Sequence, residues 1–335
     1  MFHKESLRGA LLAGATALVL IVGTVIAQQQ VQAPAPAQQP AAPTPAVLQN
    51  YKAVTADRLK KPEDGDWLMV RRTYDGWGYS PLEQITTKNV DKLQPVWEFA
   101  TGVTSGHEAP PMVNNGVLFA ATPNNQVLAV DVRTGKLLWR FRSPAPEGSS
   151  VPHQTSRGVA LFGDKVFFAA ADAVLVALEA KTGQEVWKTT VEDYRNGYYM
   201  SLAPLVIDGN VLVGVSGGEL GVRGFLAAYD ANAGGEVWKT YAVPAPGEPG
   251  SETWPQSEDS DHWKRGGGAM WVTGNYDPAT NLTFWGTGNG GPWMGDLRPG
   301  DNLYTSSVVA FDAKSGTIKG YFQYHPNDSW DWDEV

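Results

Sequence analysis

Cysteine is absent from the 335 residues, which excludes disulfides, thiolate metal sites, cysteine nucleophiles and the C-x-x-C-H attachment of a haem together. Positive charge is scarce as well. There are 26 Lys and Arg against 35 Asp and Glu, a formal net charge of -9, and no basic cluster. Phosphate binding needs such clusters, so nucleic acid is excluded as a partner. Helical periodicity is scarce, and the only long apolar run lies near the N-terminus. What the chain has in quantity is glycine (37), tryptophan (13) and a 42% hydrophobic content, enough for a large core.

The N-terminal run extends from Ala10 to Ile26, behind His3, Lys4 and Arg8, and ends at Ala27 before Gln28. With Val25 and Ala27 at the -3 and -1 positions, residues 1-27 read as a signal peptide, the alternative being an uncleaved membrane anchor. Either places the remainder outside the cytoplasm, in the periplasm on the first reading. Residues 28-48, rich in Gln, Ala and Pro, read as a flexible linker, so a folded domain is expected over 49-335.

Past the linker, short apolar runs alternate with turn residues, as in Gly116-Val117-Leu118-Phe119-Ala120-Ala121 and Leu137-Leu138-Trp139-Arg140-Phe141. Such runs are strands, and the fold class is all-β. One phrase recurs: Ala, an acid two residues on, then a small residue, Gly, and Trp four after the Gly. It reads Ala129, Asp131, Thr134, Gly135, Trp139; then Ala177, Glu179, Thr182, Gly183, Trp187; then Ala228, Asp230, Ala233, Gly234, Trp238. A degraded copy, Ala310, Asp312, Ser315, Gly316, has Gly320 in place of Trp, and Trp97 stands one spacing ahead of Trp139. A repeat of about 40 to 50 residues built of four strands marks the blades of a β-propeller. The acid and Gly form the turn, and the Trp docks on the next blade. At that period the 287 residues from 49 to 335 make five or six blades, and with no closing strand at the end the propeller reads as truncated at its C-terminus.

Three oxygen donors stand out: Glu219 at a glycine-flanked strand end, Asn289 in a glycine-rich turn, and Asp331 between two Trp. Oxygen donors without His or Cys suit a hard cation. In extended chain, residues i and i+2 point the same way about 7 Å apart, so Asp331 and Asp333 can face one ion from one side.

The docking phrase, together with Ser105-Gly106-His107-Glu108, the stretch from Ser216 to Gly224, the stretch from Gly286 to Trp293 and Asp328-Ser329-Trp330-Asp331, resembles the pyrroloquinoline-quinone-dependent alcohol dehydrogenases. These are the eight-bladed propellers of the quinoprotein methanol and ethanol dehydrogenase family, and the resemblance runs from about Asp66 to the last residue. It implies that Glu219, Asn289 and Asp331 hold a metal ion against the quinone, and that Asp331 is the general base. It also implies that Trp271, 18 residues before Asn289, is the flat floor under the cofactor, the alternative being one more docking Trp. Glu108, Arg157, Ser201, Ser216, Gly217 and Gly218 are carried over as the groups that hold the cofactor, and the guanidinium of Arg157 suits a carboxylate. The substrate implied is a small alcohol, and the electron acceptor a soluble cytochrome c.

Asp333 departs from the calcium-using members and resembles the lanthanide-using branch. Three carboxylates, Glu219, Asp331 and Asp333, match a trivalent ion, whereas two suffice for Ca²⁺; the alternative is a solvated acid beside Glu334. Other departures are Val151-Pro152-His153 where methanol dehydrogenases carry a vicinal cysteine pair, Ala269 in place of a hydroxyl residue, and Ser201 where Thr is usual. The loop from Ala245 to Lys264 reads as a lid. Two other functions fit parts of the pattern: a non-enzymatic propeller scaffold, which has no reason to keep the oxygen donors convergent, and a quinoprotein sugar dehydrogenase, favoured by His153 alone.

Overall fold

The computed structural model describes residues 44–335 except 105, 150, 153, 258–259 and 333–335. The signal-peptide reading, His153 and Asp333 therefore lie outside the described residues. Chain order is simple: four four-stranded antiparallel sheets follow one another, each a meander of consecutive strands. The first holds β1 (Met112–Asn114), β2 (Val117–Thr122), β3 (Gln126–Asp131) and β4 (Leu137–Arg142); the second β5 (Val159–Phe162), β6 (Lys165–Ala170), β7 (Val174–Glu179) and β8 (Glu185–Thr190). The third holds β9 (Leu205–Ile207), β10 (Asn210–Gly214), β11 (Phe225–Asp230) and β12 (Glu236–Tyr241); the fourth β13 (Asn275–Asp277), β14 (Leu282–Thr287), β15 (Ser307–Asp312) and β16 (Ile318–Gln323).

Each sheet is a propeller blade, and burial follows from stacking on both faces. In β3, β7 and β11 four or five consecutive residues are buried, whereas β8 alternates exposed and half-buried positions. A strand covered on both faces needs a continuous apolar run, and one at the rim does not.

The recurring phrase is the device that joins blades. A register shift falls directly after the phrase's Ala in all four sheets, at Ala129, Ala177, Ala228 and Ala310. Each such Ala pairs with the docking position: Trp139, Trp187, Trp238 and, in the degraded copy, Gly320. The acid then caps the turn, as Asp230 Oδ1 accepts from the amides of Asn232 and Ala233 at 2.9 and 2.7 Å. The Trp ring lies on the next sheet's turn glycine, and its Nε1 donates to a carbonyl there: Trp139 to Ala180 at 2.9 Å, Trp187 to Ala231 at 3.3 Å, Trp238 to Ala313 at 3.2 Å. Gly183 shows why the turn residue must be glycine. Its φ is +71°, and a Cβ there would meet Trp139 at 2.5 Å.

Length predicts five or six blades, and the described residues form four. The shortfall has two sources. Residues 77–104 contain no strand, although Trp97 docks like its counterparts, donating to Val132 O at 2.8 Å over Gly135. Residues 242–274 form an excursion whose described residues contain two 3-10 turns, Ser251–Thr253 and His262–Arg265, and no strand. Ahead of the sheets, Leu48 in the short helix Ala46–Gln49 is fully buried, so chain before Gln49 already contributes to the core.

Candidate active site

Antiparallel meanders bring the start of each sheet's first strand beside the end of its second. On this side of the molecule the first strands of the sheets are preceded by Glu108, Arg157, Ser201 and Trp271, two to four residues ahead of β1, β5, β9 and β13. The second strands of the third and fourth sheets run out into Ser216, Gly217, Gly218 and Glu219, and into Gly288 and Asn289. Residues scattered over more than a hundred positions thus meet at one end of neighbouring blades. The third sheet adds a further tie on that side, an isolated bridge pairing Tyr199 with Ser216.

A cavity of about 340 Å³ results, within the range of ligand pockets. Nine of the residues singled out from sequence line it: Arg157, Ser201, Ser216, Gly217, Gly218, Glu219, Trp271, Asn289 and Asp331. Glu108 does not line it but pairs with Arg157 Nη2 at 3.0 Å. The expected lid is corrected: no described residue between Ala245 and Lys264 lines the cavity. That loop is instead packed down, with Trp254 buried and donating to Leu303 O at 2.5 Å.

Arg157 is the hub of the polar wall. Its Nη1 donates to Ser201 Oγ at 2.8 Å, Ser201 Oγ lies 3.1 Å from Ser216 Oγ, and its guanidinium sits over the Trp271 ring, 4.7 Å from the centroid. Such a fork held against a hydroxyl and an indole face is oriented for a planar anion. Gly288 lies at the edge of that indole, where a Cβ would stand 3.4 Å from Trp271 Nε1. A flat face next to a fixed guanidinium fits a planar, carboxylate-bearing aromatic group.

The acidic end of the cavity holds Glu219, Asn289 and Asp331. Tyr199 donates its hydroxyl to Glu219 Oε1 at 2.9 Å. Asn289 Nδ2 donates to Asp331 Oδ1, while Asn289 Oδ1 is buried with no hydrogen-bond partner among the described residues. A buried carbonyl left without a donor is costly unless a ligand completes it. The described donors are two carboxylates and one amide; no group of three or more His, Asp or Glu is gathered there among the described residues. Asp331 has φ +58°, a left-handed conformation that a non-glycine residue adopts at a cost and that recurs at functional sites.

Comparison with known proteins reaches the same place. Residues 67–335 match the family model described as the glucose/ethanol/alcohol dehydrogenase β-propeller domain, designated PQQ. The chain belongs to this family. It is 42% identical over 280 residues to the quinoprotein alcohol dehydrogenase PedH of Pseudomonas putida, covering 78% of this chain and 46% of that one. Against the lanthanide-dependent methanol dehydrogenase of Methylacidiphilum fumariolicum it is 37% identical over 305 residues, covering 83% and 49%. A europium-containing methanol dehydrogenase structure superposes with a TM-score of 0.78 at 36% identity, covering 84% of this chain and 52% of that one. The chain thus spans about half the length of the relatives it matches.

Four lining residues, Tyr199, Ala269, Gly288 and Trp293, are outside those nine. Tyr199 could have been found, because it precedes Ser201 by two and so shares its face in extended chain. Trp293 closes the glycine-rich turn of Asn289 and is half exposed beside the cavity.

Proposed function

We propose that the protein oxidises a small alcohol, using pyrroloquinoline quinone seated against Trp271 and a cation held by Glu219, Asn289 and Asp331. The supporting observation is convergence. The guanidinium wall comes from the second sheet, Glu219 from the third, and the aromatic floor with Asn289 and Asp331 from the fourth, yet all line one cavity, and Asn289 Oδ1 is left without a donor among the described residues. When bound, the quinone supplies a two-electron acceptor and the cation a Lewis acid.

The chain's own residues do the rest. Arg157, with Ser201 and Ser216 behind it, binds cofactor carboxylate and carbonyl oxygens, and Glu108 steadies the guanidinium from outside. Tyr199 orients Glu219. Asp331 takes the hydroxyl proton of the alcohol; its exposure beside Trp293, Trp330 and Trp332 gives a small alcohol an apolar approach. The electrons pass to a separate cytochrome c, a partner suggested by the methanol dehydrogenase [cytochrome c] subunit of Methylorubrum extorquens, 37% identical to this chain. Export by a leader over residues 1-27 would put the reaction in the periplasm.

For the cation we favour a lanthanide over Ca²⁺. Identity does not choose, since the lanthanide-dependent enzyme and the methanol dehydrogenase subunit are both 37% identical to this chain. The acid at Asp333 does, by giving a third carboxylate to balance a trivalent charge. The test is reconstitution of the full-length protein with the quinone and either La³⁺ or Ca²⁺. Higher alcohol oxidation with La³⁺, reversed by Asp333→Ala, is expected. Equal activity with both ions would remove the role given to Asp333, and no metal dependence at all would remove the site.

A further inference from the structure

Asn289 and Asp331 belong to no strand. Asn289 stands in the excursion between β14 and β15, and Asp331 follows the end of β16. A bridge of Gly290 to Gly267 holds Asn289 from one side, but no bridge among the described residues reaches Asp331, and the buried side chain between the two segments is Arg298, which is 0% exposed.

Arg298 binds both segments at once. Its Nε donates to Pro292 O at 2.8 Å and its Nη2 to Trp293 O at 3.4 Å, on the loop that carries Asn289. The same Nη2 donates to Asp328 O, three residues before Asp331, and Nη1 to Asn302 Oδ1 at 2.5 Å. Every one of these acceptors is neutral, and no ion pair with Arg298 occurs among the described residues. A charged group buried without a bonded counter-ion is expensive, so its use as a mere filler is poor economy. Gly290, next to Asn289, lies against the guanidinium so closely that a Cβ would come within 2.6 Å of Arg298 Cζ. Two further ties run parallel: Ser329 Oγ accepts from Gly295 N at 3.0 Å, and Asn327 Nδ2 donates to Arg298 O at 2.9 Å and Gly300 O at 3.0 Å. Only a planar fork with several donors spans these acceptors; a lysine in the same place carries the charge but not the geometry.

We propose that Arg298 is a positioning residue that fixes the separation of Asn289 and Asp331 and thereby sets the cation affinity of the site. This rests on the reading of those two residues as cation donors. The experiment is calorimetric titration of the metal-free full-length protein with La³⁺, for wild type, Asp331→Ala, Arg298→Lys and Ser329→Ala, alongside steady-state kinetics. Asp331→Ala should abolish binding. Arg298→Lys should weaken it by about tenfold or more, the usual cost of losing a partner behind a metal ligand. Its kcat should recover as La³⁺ is raised, with the alcohol KM unchanged, which a loss of folded protein would not produce.

Wild-type affinity in a folded Arg298→Lys protein overturns the proposal alone. If that variant does not fold, Ser329→Ala decides: it removes one exposed tie between the same segments, weaker La³⁺ binding supports the proposal, and unchanged binding overturns it. No La³⁺ binding by wild type, or full binding by Asp331→Ala, overturns the underlying site assignment as well.

Discussion

Asp331 bears the most weight at the scale of single residues. Substitution by Ala should lower alcohol turnover in the full-length protein by a factor of about 10² to 10⁴, the range for a positioned base, while an exposed side chain can be removed with the melting temperature little changed. Turnover within a few-fold of wild type would strip it of the role. Another residue-level expectation concerns pH. Arg58, nearly buried, hydrogen-bonds Glu63 through Nε and Nη2, and with Lys52 this holds the Glu63 carboxyl at about 2, below its ordinary 4.5. A lowered folded-state value means the carboxylate stabilises the fold above about pH 4.5, and this is lost as pH falls toward 2. Solvent screening keeps the contribution to about 1 kcal/mol. The melting temperature of Glu63→Gln should therefore lie below wild type at pH 7 and converge with it near pH 2; a gap independent of pH would contradict this. In the sequence Glu219, Asn289 and Asp331 are picked out by the family resemblance, and their oxygen-donor chemistry without His or Cys agrees with it. Arg298 was silent in sequence, since its partners lie in segments whose proximity no local spacing encodes.

Among the structural elements, the Trp-on-Gly joint between blades carries the fold. Gly183→Ala forces a Cβ into the Trp139 ring and should destabilise the protein by about 1–3 kcal/mol. Gly320→Ala is the control. No atom lies within 4 Å of a Cβ there and its φ is not positive, so the change should be neutral or mildly stabilising. Denaturant unfolding of both variants checks the pair, and equal losses would mean that the ring contact is unimportant. The turn and the docking ring of this joint are legible from the spacing of acid, Gly and Trp, whereas the bulge after each Ala is seen only in the strand register. Blade count was less legible. Chain length says nothing of how much is spent in excursions such as 242–274, and the stretch 77–104 keeps a docking Trp without a strand partner.

For the whole molecule, two features follow from a ring of blades of which four are described. Large apolar side chains are exposed ahead of the first sheet, with Trp77 at 82% and Val96 at 85%, and others on the last strand of the fourth and after it, with Phe322 at 63% and Trp330 at 80%. Residues 44–335 prepared alone should therefore self-associate on size-exclusion chromatography, as exposed apolar surface of this extent promotes; an elution at monomer size at all concentrations would show that these faces are innocuous. The single cavity that gathers the expected donors is built by three of the four sheets, so its geometry depends on the blades remaining stacked. The decisive measurement is a crystal structure of the full-length protein reconstituted with the quinone and La³⁺. The account predicts the cation within about 2.3 to 2.7 Å of Glu219, Asn289 Oδ1 and Asp331, with the quinone lying on Trp271; a cation bound elsewhere, or a quinone away from Trp271, would contradict it.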